Sequence, residues 1–191
     1  MKHSPKNTDE AIAATGEQVV ATLLALLGQE IEREGLKDTP RRVFRFWQDV
    51  LTPPVYKFTT FDSEGMDEMI IEHPIPVYSF CEHHMAPFFG TAAVAYIPNK
   101  RIAGLSKLAW CVKEYASRLQ NQERLTQQIA DRMLQELSPR GVAVLLKCRH
   151  FCMECRGVRT HDVFTTTTCL KGAFKKDLST RQEFLQKVYG R

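Results

Sequence analysis

The chain has 191 residues, 43% of them hydrophobic, with 26 basic and 22 acidic side chains and a net charge of +4. Those values suit one compact domain with a small N-terminal extension and give no electrostatic footprint for nucleic acid. No apolar run approaches the ~20 residues of a membrane span. The opening stretch MKHSPKNTDEAIAATGEQ has neither an apolar core nor a secretion pattern, so a cytoplasmic location is expected.

In chain order, Val19, Val20, Leu23, Leu24 and Leu27 recur at helical spacing and predict a helix over 9–28. Thr39-Pro40 is a good helix start, and Val43, Phe46, Trp47 and Val50 would share one side before Leu51-Thr52-Pro53-Pro54 ends the helix. Residues 55–70 are turn-rich and carry no clear period. Strands are predicted from Ile75 to Phe80 and from Gly90 to Ile97, with Pro98-Asn99-Lys100 as a turn. Helices follow over 106–119 and 122–137; Leu125, Ile129 and Met133 form a stripe on the second, and Ser138-Pro139-Arg140-Gly141 breaks it. A long β-rich run spans 142–153, a threonine-rich strand 163–170, and a short amphipathic helix begins near Ser179. The expected class is α+β, a mainly antiparallel sheet covered by a helix pair. The expected division is an N-terminal helical region, 1–70, and a sheet-bearing domain, 71–191.

Six cysteines stand at 81, 111, 148, 152, 155 and 169. Two of them sit among histidines, in CEHH at 81–84 and HFCMEC at 150–155, which reads as ligand clustering. Cys81 and His84 have the C-x-x-H spacing that lets both side chains reach one ion from a tight turn. If the strand runs on through 142–156, alternation puts Cys148, His150, Cys152, Glu154 and Arg156 on one face and Cys155 on the other. Cys152 is then the third donor, and Zn²⁺ with three protein ligands keeps one position open for water. His83 and His150 would be left for proton transfer. Three alternatives stay open on spacing alone: a closed four-ligand site that includes Cys155, a Cys152–Cys155 redox pair, and ordinary packed histidines.

Gly104-Leu105-Ser106-Lys107 meets a predicted helix N-terminus, where free N–H groups, a hydroxyl and a lysine charge can hold an anion. Arg42 and Arg156 could add charge there. Gln122-Glu123-Arg124 opens a helix, where an acidic residue is favourable with or without a ligand.

Taken together, CEHH at 81–84, YIPNK at 96–100, GLSKLA at 104–109, QERLTQQIA at 122–130, HFCMECRGV at 150–158 and TTTTCLKGAF at 165–174 resemble GTP cyclohydrolase I, and DTPRRV at 38–43 and TRQEFL at 180–185 fit as well. The resemblance runs unbroken from about residue 18 to 187. It implies the tunnelling fold in the 71–191 domain and a toroidal homodecamer with active sites between subunits. It also implies hydrolysis and rearrangement of GTP to 7,8-dihydroneopterin triphosphate with loss of formate, the first step of pterin- and folate-type biosynthesis. Water would add at carbon 8 of the guanine before the ring opens. Matching positions make Cys81, His84 and Cys152 the zinc ligands and His83 and His150 the proton-transfer pair. Gln122 and Glu123 match the guanine-recognition pair, and Ser106, Lys107, Arg156 and Arg42 match the triphosphate contacts, Arg42 on a neighbour's substrate. Two positions depart from the pattern: Trp110 stands where an Arg follows GLSK-x-x, with Lys113 or Arg101 as replacement cations, and Val163 stands where several members have Ser. Two other readings compete: a different enzyme of the same fold acting in deazaguanine or pterin metabolism, and a non-catalytic zinc-stabilised assembly.

Overall fold

The computed structural model describes residues 5–190. Two compact units divide between Thr52 and Pro53. The first holds α1 (Pro5–Leu26) and α2 (Thr39–Leu51). Pro40 occupies the first turn of α2, but Asp38 is its N-cap and makes no side-chain cap bond; the Thr39 hydroxyl instead donates to the Gly35 carbonyl. Gly16 on α1 lies against the Phe44 ring, a contact that only a residue without a Cβ permits. Val19 and Leu23 of the predicted apolar stripe stay more than half exposed.

The second unit contains β1 (Thr60–Asp62), β2 (Ile70–Cys81), β3 (Pro87–Ile97), β4 (Arg101–Ala103), α3 (Ser106–Ala116), β5 (Leu119–Gln120), α4 (Gln122–Leu137), β6 (Gly141–His150), α5 (Phe151–Glu154), β7 (Thr165–Gly172), α6 (Ala173–Lys176) and α7 (Leu178–Tyr189). Residues 53–69, assigned by sequence to the N-terminal region, belong here. Their one regular piece, β1, pairs antiparallel with β4, a non-local partner that no local period could reveal. The main sheet has the order β5-β2-β3-β6-β7, antiparallel throughout except for the short β2–β5 pair.

Strands β3 and β6 form the centre of the sheet and are apolar on both faces. Ala92, Val94 and Tyr96 with Val142, Val144 and Leu146 meet Leu108, Val112, Leu125, Ile129 and Met133 of α3 and α4. Ala93, Ala95, Ala143 and Leu145 face the other way, onto Phe174 of α6 and Phe184 of α7. The helix pair expected over the sheet is therefore present, and the C-terminal helices cover part of its second face. Leu125, Ile129 and Met133 are fully buried, and each contributes roughly 1.5–3 kcal/mol by leaving water.

The bounds of α4 follow from its ends. Asn121 caps it by accepting from Arg124 N at 2.8 Å, and Ser138 closes it in the left-handed conformation at φ 44°. The β6 strand stops at His150, not near 153, and the chain turns at once into the single helical turn α5. The alternation predicted through 156 therefore ends at His150. No helix among the described residues is long and apolar enough to cross a membrane.

Close approach of β3 to β6 rests on Gly90. A Cβ there would overlap the Lys147 carbonyl and come within 2.7 Å of Cys148 Cα. Gly90→Ala is expected to destabilise the second unit by about 1–3 kcal/mol, the usual cost of overpacking, read as a lower Tm in thermal denaturation. An unchanged Tm would refute this reading of the β3–β6 seam.

Candidate metal centre

The site forms where two chain reversals meet at one end of the sheet. The first links β2 to β3 through Glu82-His83-His84-Met85-Ala86. It closes with Cys81 N donating to Ala86 O at 2.8 Å and Met85 N to Cys81 O at 2.8 Å, and Met85 takes a positive φ of 51°. The second is α5, which follows β6 directly. Because Phe88 on β3 pairs with His150, the last residue of β6, the two reversals are neighbours. Arg149 anchors α5 with a two-pronged ion pair to Glu154, 2.8 Å on each prong, and this holds the Glu154 carboxyl below its ordinary range.

The donor atoms of Cys81, His84 and Cys152 all lie within 4.8 Å of one another. Cys81 Sγ is 3.6 Å from His84 Nδ1. Ligand atoms around one zinc ion sit roughly 3.3–3.8 Å apart, given bonds of about 2.0–2.3 Å in a tetrahedron. Two thiols and an imidazole at this spacing fit a borderline-soft transition metal. Burial and the neighbouring Cys81 push the Cys152 thiol up, so a bound cation would help to hold that sulfur as a thiolate.

The remaining cysteines stand apart. Burial pushes the Cys111 and Cys148 thiols up to about 12, which keeps them protonated in the core. Cys155 is exposed and ends α5, its N–H donating to Phe151 O, and it is outside the three-donor group. The sequence reading set Cys155 aside by strand alternation. The structure sets it aside by a helical turn.

His83 is exposed, with Nδ1 3.7 Å from Cys81 Sγ and Nε2 3.9 Å from Glu82. His150 is half-buried. Its ring stacks on Phe88 at 4.8 Å and 10°, and its Nε2 lies 2.8 Å from Gln122 Oε1. Burial lowers the His150 pKa, opposed by the carboxylates of Glu123 and Glu154. Glu123 is exposed in the first turn of α4. Gln122 beside it is 1% exposed, with its side chain fully engaged by the protein.

One tie went unread in the sequence. Glu82 accepts from Asn121 Nδ2 at 3.0 Å and forms an ion pair with Arg124, which joins the CEHH turn to the start of α4 and lowers the Glu82 pKa. CEHH and QER lie some forty residues apart, so only the β2–β5 pairing brings them together.

Among the anion-site candidates, Ser106 and Lys107 open α3. Leu105 is the N-cap and makes no side-chain cap bond. Arg156 is exposed in the turn after α5. Arg42 lies in the first unit, bonded to Thr39 Oγ1 at 3.2 Å and paired with Asp38 at 3.5 Å. Trp110 stacks on Tyr56 at 6.0 Å, and Lys113 Nζ sits 5.2 Å over its ring. Arg101, the other candidate replacement cation, is taken up by Thr60 on β1 at 2.7–3.1 Å. Val163 is exposed.

The profile of the family described as GTP cyclohydrolase I matches residues 16–189. The GTP cyclohydrolase 1 of Aquifex aeolicus (strain VF5) is 45% identical over 175 residues, 91% of this chain and 95% of that protein. The GTP cyclohydrolase 1 of Hydrogenobaculum sp. (strain Y04AAS1) is 46% identical over 163 residues, 85% of this chain and 90% of that one. A solved structure, the crystal structure of the archaeosine synthase QueF-Like in the apo form, aligns with a TM-score of 0.43 at 16% identity, over 56% of this chain and 94% of that chain.

The geometry separates the two cysteines of HFCMEC. Cys152→Ser is expected to lose the bound metal and Cys155→Ser to keep the wild-type content, measured by elemental analysis of the purified proteins. Loss of metal in Cys155→Ser would make it a fourth ligand and close the site.

Proposed function

Because the chain belongs to the GTP cyclohydrolase I family, we propose that it is a zinc-dependent enzyme that converts GTP to 7,8-dihydroneopterin triphosphate and formate. The observation that carries this reading is the convergence of Cys81, His84 and Cys152 beside the half-buried His150. A zinc ion held by those three residues supplies a Lewis acid that brings the pKa of water to about 7.

The chain's own residues do the rest. His150, its pKa lowered by burial, takes a proton as water adds at carbon 8 of the guanine, and His83, exposed beside Cys81, moves protons as the ring opens and formate leaves. The Glu123 carboxylate, exposed and close enough to His150 to affect its charge, accepts the N–H donors of the guanine edge. The family pattern pairs Gln122 with Glu123, but the Gln122 side chain is buried against Leu146, Thr165 and Thr167, which leaves the guanine edge to Glu123. Lys107 and Ser106 at the α3 N-terminus, with Arg156, take the triphosphate through charge and free N–H groups. Trp110 brings no charge to that group, and Lys113 over its ring is the nearby cation. Arg42 acts on the substrate of a neighbouring subunit, which belongs to the further proposal that the protein forms a toroidal homodecamer with active sites between subunits. Exposed apolar side chains such as Tyr78, Leu105 and Phe164 favour such burial between copies. Six free thiols suit the cytoplasm.

Purified protein loaded with Zn²⁺ is expected to release formate from GTP and to yield a product that fluoresces after oxidation. No turnover of GTP by protein with zinc measured in the same sample would overturn the reading.

A further inference from the structure

The Gln122 carboxamide sits in a pocket that fixes which way round it lies. Its Nε2 is 3.0 Å from Thr165 O, 3.2 Å from Leu146 O and 3.0 Å from Thr167 Oγ1. The first two are main-chain carbonyls, which only accept hydrogen bonds, so the nitrogen end must face them. The Thr167 hydroxyl is shared with Thr126 at 2.6 Å, and the Thr126 hydroxyl donates back to Gln122 O at 2.7 Å, which locks the α4 N-terminus onto β7. The side chain is 1% exposed. What remains of it is Oε1, an acceptor, and Oε1 is 2.8 Å from His150 Nε2. An acceptor at that distance requires a donor opposite. Nε2 must then carry a hydrogen, so whenever the ring holds a single proton Nδ1 is bare. Phe88, stacked at 4.8 Å and nearly parallel, keeps the ring in the plane that makes this bond.

Resting on the reading of His150 as a proton-transfer group, we propose that Gln122 is a positioning residue. Its Oε1 holds His150 as the Nε2–H tautomer and presents Nδ1 to the reaction, while recognition of the guanine edge falls to Glu123. The side chain that the family pattern pairs with Glu123 for base recognition is spent instead on the sheet and on the histidine. An acid–base group held in the wrong tautomer loses its function although its position is kept.

The two roles separate in kinetics. In zinc-loaded Gln122→Leu, kcat for GTP is expected to fall roughly 100-fold with KM changed less than about twofold, because positioning acts on the chemical step and base recognition acts on binding. Gln122→Glu, whose carboxyl must be protonated to donate to the Leu146 and Thr165 carbonyls, still offers its other oxygen to Nε2–H and is expected to recover kcat to within about tenfold of wild type. The tautomer is read without substrate. In ¹⁵N-histidine-labelled, zinc-loaded wild type, the signals absent from a His150→Asn sample are expected to show a protonated Nε2 and a bare Nδ1. A bare Nε2 in the wild type, or a raised KM with unchanged kcat in Gln122→Leu, would overturn the proposal. If Gln122→Leu does not fold, the wild-type nitrogen spectrum and the kinetics of Gln122→Glu decide it, and a Gln122→Glu protein with raised KM and wild-type kcat counts against it. Failure of the wild type to turn over GTP would defeat the enzymatic reading while leaving the nitrogen spectrum as a test of the tautomer.

Discussion

Ten residue pairs join β3 to β6 without a break, from Phe88 opposite His150 to Ile97 opposite Gly141. That unshifted register fixes the site. The β2–β3 turn delivers Cys81 and His84, and the exit of β6 delivers His150 and Cys152. The two reversals meet only because Phe88 and His150 are partners. A slip of one residue would also turn Val142, Val144 and Leu146 away from the helices and onto the opposite face. The packing that stabilises the domain and the geometry that assembles the donor atoms are thus one constraint, and Gly90, with no room for a Cβ, lies at its third pair, two from Phe88 and His150.

Smaller ties then hold the ends of that frame. Glu82 bridges the CEHH turn to Asn121 and Arg124, Arg149 clasps Glu154 to keep α5 against β6, and Gln122 plugs the start of α4 into Leu146 and Thr165. Each is a polar group whose partners are supplied by a different element, and Gln122, the buried one of the three, has both ends of its carboxamide met. Together they surround a metal-competent group of three donors without adding a fourth.

Much of this was legible in the sequence, for physical reasons. The stripe on α4 and its breaker at 138–141 gave that helix its bounds, because both signals are local. The C-x-x-H spacing of Cys81 and His84 marked a turn that could share an ion, and the turn is there. Cys152 was also nominated, although by an argument that the structure replaces: alternation stops at His150, and a helical turn carries the thiol to the site. A short run such as HFCME reads equally as strand or turn, and in the fold Glu154 pairs back to Arg149 across the helical turn. The placement of 53–69, the burial of Gln122 and the commitment of Arg101 to Thr60 were not legible. Each depends on a partner that is distant in sequence, namely β4 for 53–69, β6 and β7 for Gln122, and β1 for Arg101.

In the proposed enzyme three protein donors, two sulfurs and one imidazole nitrogen, hold the metal and leave a position for water. X-ray absorption at the zinc edge of the loaded protein reads that donor set directly. Two sulfur scatterers at about 2.3 Å and two lighter ones, nitrogen or oxygen, at about 2.0–2.1 Å are expected. Three sulfur scatterers would instead place Cys155 on the metal and close the site.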